Sequence, residues 1–314
     1  MKAIFHYDAG PHLTARLAAL AGEGFHIAPC PEADEARLAA LLPETEVLLH
    51  VLKPATAAII AQAPALRLIQ KIGVGVNTID IAAARARGIA VANMPGTNTP
   101  AVAEAAILLM LAALRNLAGI DRATRAGLGW TLGPGLQERV GELRGRTIGL
   151  VGAGMVPRAM LPILKGFGAE ALYWSPRPHP ELGIPRRGLD DLIAAADILS
   201  LHLPLVPATE RLIDRAAFRR MKPGAILVNT ARGGLVDEGA LVEALTTGTL
   251  RAAGLDVFAA EPVPSGNPLL GLDNVVLMPH VAWLTPETLE RSLDVALDNM
   301  RRLRDGRELL HRVA

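Results

Sequence analysis

"RTIGLVGAGMVPRAM", residues 146–160, decides how the chain is to be read. An apolar run ends in Gly152, Ala153 and Gly154, as a strand does when it feeds a phosphate-binding turn. In such a turn the first glycine permits the tight bend and the second lets backbone approach a pyrophosphate. The third lets helix pack closely on strand. Gly152 and Gly154 fill the first two places, and Pro157 stands in the third. In the first turn of a helix a proline's missing N–H has no intrahelical partner, and its fixed φ suits a helix start. The ring is therefore compatible with the fold, and the close approach of helix to strand is what it puts at risk. Met155 and Val156 would offer N–H groups to the phosphates, aided by the positive end of the helix dipole.

About 20 residues further on, a dinucleotide fold places an acidic residue on the adenosine ribose. Here the next strand ends "ALYWSPRP", with Ser175 in that place and Arg177 after it. An arginine can pair with a 2′-phosphate, and a serine avoids the repulsion of an aspartate. This reading expects NADP(H) to be favoured, with NAD(H) possible. The plain alternative is a proline-rich surface loop with solvated charges.

Outward from the turn, short apolar runs alternate with helical patterns along the chain. "KAIFHY", "FHIAP", "EVLLHVL", "LRLIQKI" and "IAVAN" predict five strands. "TIGLVG", "ALYWS", "DILSLHLP", "AILVNTA", "AAGLDVF" and "VVLMPH" predict six more. Such alternation argues for parallel βαβ units, covered on both faces. The apolar stretch "AVAEAAILLMLAALRNLAGI" is interrupted by Glu104 and Arg115, so it predicts a buried core helix rather than a membrane span. A last amphipathic helix, "TLERSLDVALDNMRRLRDG", could cap the second series or return to the first.

The bulk properties are those of a well-filled globular protein of two domains: 314 residues, 51% hydrophobic and 20% charged. A formal charge of +1 gives no electrostatic reason to seek nucleic acid or an acidic membrane. One cysteine, Cys30, forms no internal disulfide, and no signal-like apolar core opens the sequence. A soluble, cytoplasmic protein is expected.

Reduction of a 2-oxo acid needs a cation for the carboxylate, a proton donor at the carbonyl oxygen, and a group that keeps the donor protonated. "NTARGGLVDE" sets Arg232 past one strand, "LDVFAAEPVP" sets Glu261 past the next, and "VVLMPHVAW" sets His280 past the last. All follow the carboxyl ends of predicted strands, where open α/β sheets bind ligands. Singly, each has an ordinary reading as a surface ion-pair residue, a solvated loop residue or a structural hydrogen-bonder. Three at successive strand ends are what an active site requires. A carboxylate beside His280 would favour its charged form, and Arg232 could hold a carboxylate by two parallel hydrogen bonds. No metal site is expected.

With these residues in hand, the sequence resembles the D-isomer-specific 2-hydroxyacid dehydrogenase family over nearly its whole length. The likeness rests on "KIGVGVNTIDIAAARARGIAVANMPGTNTPAVAEAAILLMLAALR", the glycine turn, "LHLPLVPATERLI", "MKPGAILVNTARGGLVDEGALVEAL", "GLDVFAAEP" and "NVVLMPHVAW". The resemblance implies an α/β protein of two doubly wound parallel-sheet domains. A Rossmann nucleotide domain, residues 99–284, is inserted into a flavodoxin-like substrate domain built from residues 1–98 and 285–314, with the active site in the cleft.

It further implies catalytic roles for Arg232, Glu261 and His280, and a place near the nicotinamide for Asp256. Backbone contacts to the cofactor are implied for Thr230 and Ala231, and further contacts for Leu203, Pro204 and Thr209. Val74 and Gly75 match the loop whose amides take the substrate carboxylate. Two more substrate candidates are Trp283, which could wall the pocket or sit in a domain-interface core, and Lys53, which could close over the carboxylate.

The expected activity is NAD(P)H-dependent reduction of glyoxylate or hydroxypyruvate to the D-2-hydroxy acid, in a homodimer. Two alternatives stay open: a nucleotide-sensing binding protein like the family's corepressors, and a phosphite- or formate-type dehydrogenase. The formate enzymes carry Gln where Glu261 stands, so the sequence leans away from them.

Overall fold

All eleven expected strands form in the computed structural model, which describes every residue except Leu132 and Pro134. The chain divides into two units, Met1–Asn98 with Thr285–Ala314, and Thr99–Leu284.

In the first unit the strands are β1 (Lys2–His6), β2 (His26–Cys30), β3 (Val47–His50), β4 (Leu68–Lys71) and β5 (Ala90–Ala92). Between them run α1 (Pro11–Ala19), α2 (Glu35–Leu41), α3 (Ala57–Ala61) and α4 (Ile81–Ala86). The sheet is parallel, in the order β2-β1-β3-β4-β5. Ile4, Leu48, Ile69 and Val91 pack on one face against Leu38 of α2, Ile60 of α3 and Ala84 of α4. At the carboxyl ends, Cys30, His6, His50 and Lys71 stand in register across four strands, and all are buried. The Lys71 ammonium donates to the Val51 carbonyl and lies 3.5 Å from His50 Nδ1. Burial, reinforced by the Lys71 charge, pushes the His50 imidazole down to about 3.

The second unit opens with α5 (Thr99–Arg115), α6 (Leu117–Arg125) and α7 (Leu136–Arg139). Then come β6 (Thr147–Val151), α8 (Met155–Gly166), β7 (Glu170–Trp174), α9 (Leu189–Ala195) and β8 (Ile198–Leu201). The unit continues with α10 (Arg215–Arg220), β9 (Ala225–Asn229), α11 (Glu238–Thr246), β10 (Leu250–Leu255) and β11 (Val275–Leu277). Its sheet is also parallel, in the order β11-β10-β9-β8-β6-β7. Chain order reverses between β6 and β8, and that switch point is where open α/β sheets take ligands. One face packs against α5 and α8, the other against α9, α10 and α11. Beyond β7 no further strand forms among the described residues. Pro185 and Arg187 bond to the two sides of Tyr173 and cover that edge.

One helix departs from the expectation. The single core helix expected over residues 101–120 is two helices, α5 and α6, bent by 63°. Asn116 lies between them at φ 48°, a left-handed conformation that asparagine tolerates better than most residues. Most of α5 is buried, whereas α6 buries no residue. Among the described residues no single helix is long and apolar enough to cross a membrane. In α8 a second proline, Pro162, lies inside the helix.

The last helix, α12 (Pro286–Arg304), belongs to the first unit, settling a question that periodicity left open. Asn299 on α12 donates to Gln70 of β4, and Arg304 lies over the Phe25 ring. The segment after α12 returns to β5, where Val91 donates to Ala314 O.

Candidate active site and coenzyme site

The glycine turn lies at the switch point. Gly152 has φ +120°, and a Cβ there would stand 2.6 Å from the His202 carbonyl oxygen across the junction of β6 and β8. Only glycine meets both demands. Gly154 is the N-cap of α8, and a Cβ there would meet nothing within 4 Å, so the turn presents an open face at the helix N-terminus. Exposed Met155 and half-buried Val156 begin α8, and Pro157 is its third residue, buried in the first turn. Ala153 is buried beside them. An open, glycine-lined turn at a helix N-terminus fits a pyrophosphate, so the departure at Pro157 leaves the cradle intact. His202 is locked below the turn by a 2.9 Å contact with Ser200 Oγ, and burial pushes its imidazole down to about 3.

At the end of β7, Ser175 is buried and its hydroxyl donates to the Arg177 carbonyl. The side chain thus shapes the loop, and its oxygen keeps acceptor rather than donor capacity toward a ligand. Arg177 is exposed, with no side-chain partner among the described residues. The fold adds groups that a linear reading missed. Arg186 donates to Ser175 O at 2.9 Å. Arg158 donates to Ala153 O at 3.2 Å and to Glu181 at 2.5 Å. Arg186 and Glu181 lie in the basic, proline-rich run "PRPHPELGIPRR" after Ser175, whereas Arg158 directly follows Pro157 in the glycine-turn stretch.

After β8, Leu203 packs against the core. Thr209 Oγ1 donates to Pro204 O at 2.7 Å and accepts from the Val206 amide, which staples that loop.

After β9, Asn229 sets the backbone. Its Oδ1 accepts from the Ala231 amide at 3.0 Å, and its Nδ2 donates to Arg232 O at 2.9 Å. The Ala231 amide is therefore already used, leaving its carbonyl as the group with spare capacity. That carbonyl accepts from Arg232 Nη1 at 2.6 Å. Thr230 is buried, and its hydroxyl has no hydrogen-bond partner. Neither Asn229 nor its role was anticipated, because an asparagine ending a buried strand carries no sequence signature.

Gly233 then lets the loops after β9 and β10 touch: a Cβ there would fall 1.9 Å from the Phe258 carbonyl carbon. Glu238 fixes the second loop by accepting from the Ala259 amide at 2.9 Å and from Asn267 at 2.8 Å.

The result is a charged constellation. Glu261 Oε1 accepts from the Phe258 amide at 2.8 Å, and Oε2 lies 2.6 Å from His280 Nδ1. His280 Nε2 bonds to no described residue. Burial alone would raise the Glu261 carboxyl. The His280 hydrogen bond and charge, the Phe258 amide and the Arg232 charge together take it below the usual range. Burial pulls the Arg232 guanidinium down, against the Glu261 charge. Arginine remains charged at any relevant pH.

Asp256 holds the backbone that carries His280. It is 1% exposed, and its two carboxylate oxygens accept from the amides of Val281 (2.8 Å) and Ala282 (3.1 Å). Its own carbonyl accepts from the His280 amide at 2.8 Å. His280 itself sits at φ 57°. Burial pushes the Asp256 carboxyl up, opposed by the two amides and by His280. Trp283 donates from its indole to His280 O at 3.1 Å and is buried. Both side chains therefore hold the backbone around His280.

The remaining candidates lie in the other unit. Lys53 donates to Glu32 O at 2.8 Å and to Glu35 at 3.0 Å, while Glu32 Oε1 accepts from the amides of Leu52 and Lys53. Exposed Val74 accepts at its carbonyl from Asn93 at 2.8 Å. Val74 and Gly75 lie in the segment that follows β4. Among the described residues no group of three metal-binding side chains forms.

A profile described as "D-isomer specific 2-hydroxyacid dehydrogenase, NAD binding domain" matches residues 107–282. D-3-phosphoglycerate dehydrogenase of Mycobacterium leprae is 42% identical over 84% of the chain and 50% of that protein. Glyoxylate reductase of Aeropyrum pernix is 42% identical over 77% of the chain and 74% of that protein. Among solved structures, the TT0316 protein from Thermus thermophilus superposes with a TM-score of 0.89 at 36% identity, covering 100% of both chains. The chain belongs to the D-isomer-specific 2-hydroxyacid dehydrogenase family. It spans about half the length of the first curated relatives it matches, the phosphoglycerate dehydrogenases.

Proposed function

We propose that this protein reduces a small 2-oxo acid, glyoxylate or hydroxypyruvate favoured, to the D-2-hydroxy acid with NADP(H) in preference to NAD(H). The observation that carries the reading is the 2.6 Å contact between Glu261 and His280 Nδ1, which leaves the other ring nitrogen available. Gly152, the Gly154 cap and the amides of α8 would hold the coenzyme phosphates, with Thr230 and the Ala231 carbonyl beside it. A bound nicotinamide would supply the hydride.

Arg232 would orient the substrate carboxylate, because a guanidinium matches it with two parallel bonds. His280 would give the Nε2 proton to the carbonyl oxygen as hydride addition to the carbon moves the C=O π electrons onto that oxygen, leaving a hydroxyl. Glu261 would fix the ring and balance its charge, and Asp256 would fix the backbone that carries it. Ser175, which lacks the full negative charge that an aspartate would set against a 2′-phosphate, and exposed Arg177 support the coenzyme preference.

The test is a steady-state assay of glyoxylate, hydroxypyruvate and pyruvate with both coenzymes. Turnover of glyoxylate or hydroxypyruvate with higher kcat/KM for NADPH is expected. No turnover on any of the three would end the reading.

A homodimer through the α5–α6 arm completes the proposal. Leu108, Leu117 and Leu128 are about half exposed and Trp130 is 91% exposed, apolar side chains that a second copy would cover. Light scattering at the mass of one chain would discard it. The single, buried Cys30 supports a reducing, cytoplasmic location.

A further inference from the structure

The Arg158–Glu181 pair stands where the adenosine end of the coenzyme would lie. Arg158 is in the first turn of α8, and its Nε donates to the carbonyl of Ala153 inside the glycine turn. Its Nη2 reaches Glu181 Oε1 at 2.5 Å and His179 Nδ1 at 3.2 Å in the loop after Ser175. His179 Nδ1 is itself 3.0 Å from Glu181, and the His179 amide donates to the Tyr173 hydroxyl. One guanidinium thus spans from the pyrophosphate turn to the loop at the end of β7. In this fold class the 2′ substituent of the adenosine ribose is read at the end of that strand.

The ion pair is solvent-exposed, 40% and 51% by side chain, so it contributes little to stability. Its charge is nonetheless fixed, because Arg158 and His179 hold the Glu181 carboxyl down to about 2. A 2′-phosphate, with close to two negative charges and three acceptor oxygens, is a stronger partner for a guanidinium than one exposed carboxylate.

We propose that Arg158 is a second cation for the coenzyme 2′-phosphate, and that Glu181 is its resting counter-ion, released when the phosphate binds. The pair then sets the NADPH/NADH ratio together with Arg177. Arg158 gains a partner only with the phosphorylated coenzyme, whereas Glu181 competes with that coenzyme alone. This inference rests on the NADP(H) reading above and adds the residues that would tune it.

The test is direct binding of NADPH, NADH, 2′-phospho-ADP-ribose and ADP-ribose by calorimetry, for the wild type, Arg158→Met and Glu181→Gln, each first shown to melt like the wild type. Arg158→Met should weaken both phosphorylated ligands about tenfold, the worth of a charge-assisted hydrogen bond, and leave the other two within about twofold. Glu181→Gln should tighten the phosphorylated pair about threefold or more, as a competing charge is removed. Equal weakening of all four ligands by Arg158→Met would overturn the proposal, since Arg158 would then only brace the glycine turn. Weaker ADP-ribose binding in Glu181→Gln would also overturn it, since Glu181 would then accept from the ribose hydroxyl. A wild type that binds NADH more tightly overturns the coenzyme reading alone, and selective loss in Arg158→Met would still uphold the pair.

Discussion

Gly233 lies against the backbone of Phe258 so closely that a methyl group on Gly233 would stand 1.9 Å from the Phe258 carbonyl carbon. This contact joins the loop that carries Arg232 to the loop that carries Glu261. The atom in the way is backbone, so no rotamer change relieves the clash.

Gly233→Ala should therefore shift one loop and separate Arg232 from Glu261. Overpacking of this kind costs about 1–3 kcal/mol. A drop in melting temperature with loss of most turnover is expected. Wild-type kcat in a folded Gly233→Ala protein would show that the two loops move independently of the chemistry.

His280→Ala should lower kcat roughly 10²- to 10⁴-fold, the usual worth of a general acid, while coenzyme affinity stays near normal. Glu261→Gln keeps a hydrogen-bond acceptor but removes the charge, and should cost less than His280→Ala. Comparison of kcat for the three proteins checks both statements. An unchanged kcat in His280→Ala would remove that residue from the mechanism.

Asp256→Ala would leave the Val281 and Ala282 amides without their acceptors, at about 1–3 kcal/mol for each stranded group. Urea denaturation should show that loss, and kcat should fall with it because the His280 backbone is no longer held. Stability equal to the wild type would mean that water replaces the carboxylate at no cost.

His50 and His202 are both held near 3 by burial, well under the ordinary 6.5. Below about pH 6.5 the unfolded chain takes up protons that the native state refuses, so stability falls as pH drops toward 3. The slope is about 1.4 kcal/mol per pH unit for each histidine. Urea midpoints at pH 7 and pH 5 should differ less in His50→Gln than in the wild type. Identical slopes would show that His50 is protonated in the native state.

The strands were legible because parallel strands buried on both faces appear as unbroken apolar runs, and "EVLLHVL" or "AILVNTA" admit little else. Strand order was not legible, since no local pattern records which neighbour a strand pairs with. The break at Asn116 was hidden inside a continuous Ala/Leu stretch, where one asparagine at φ 48° outweighs helical propensity. Arg232, Glu261 and His280 stood out as titratable residues just past strands. The groups that aim them did not, because Asn229, Gly233 and Asp256 act through backbone contacts between segments far apart in sequence. The same holds for Arg158 and Glu181, which meet only because a loop folds back over the start of α8.

The order in which the two units are threaded has a consequence for synthesis on the ribosome. Strands β1 to β5 are translated first, yet α12 and the segment that reaches Val91 follow the whole of Thr99–Leu284. The inserted unit can finish its own sheet while the earlier one still waits for its last helix. Until then β4 lacks the bond from Asn299 to Gln70, and β5 lacks the carbonyl of Ala314 that takes the Val91 amide.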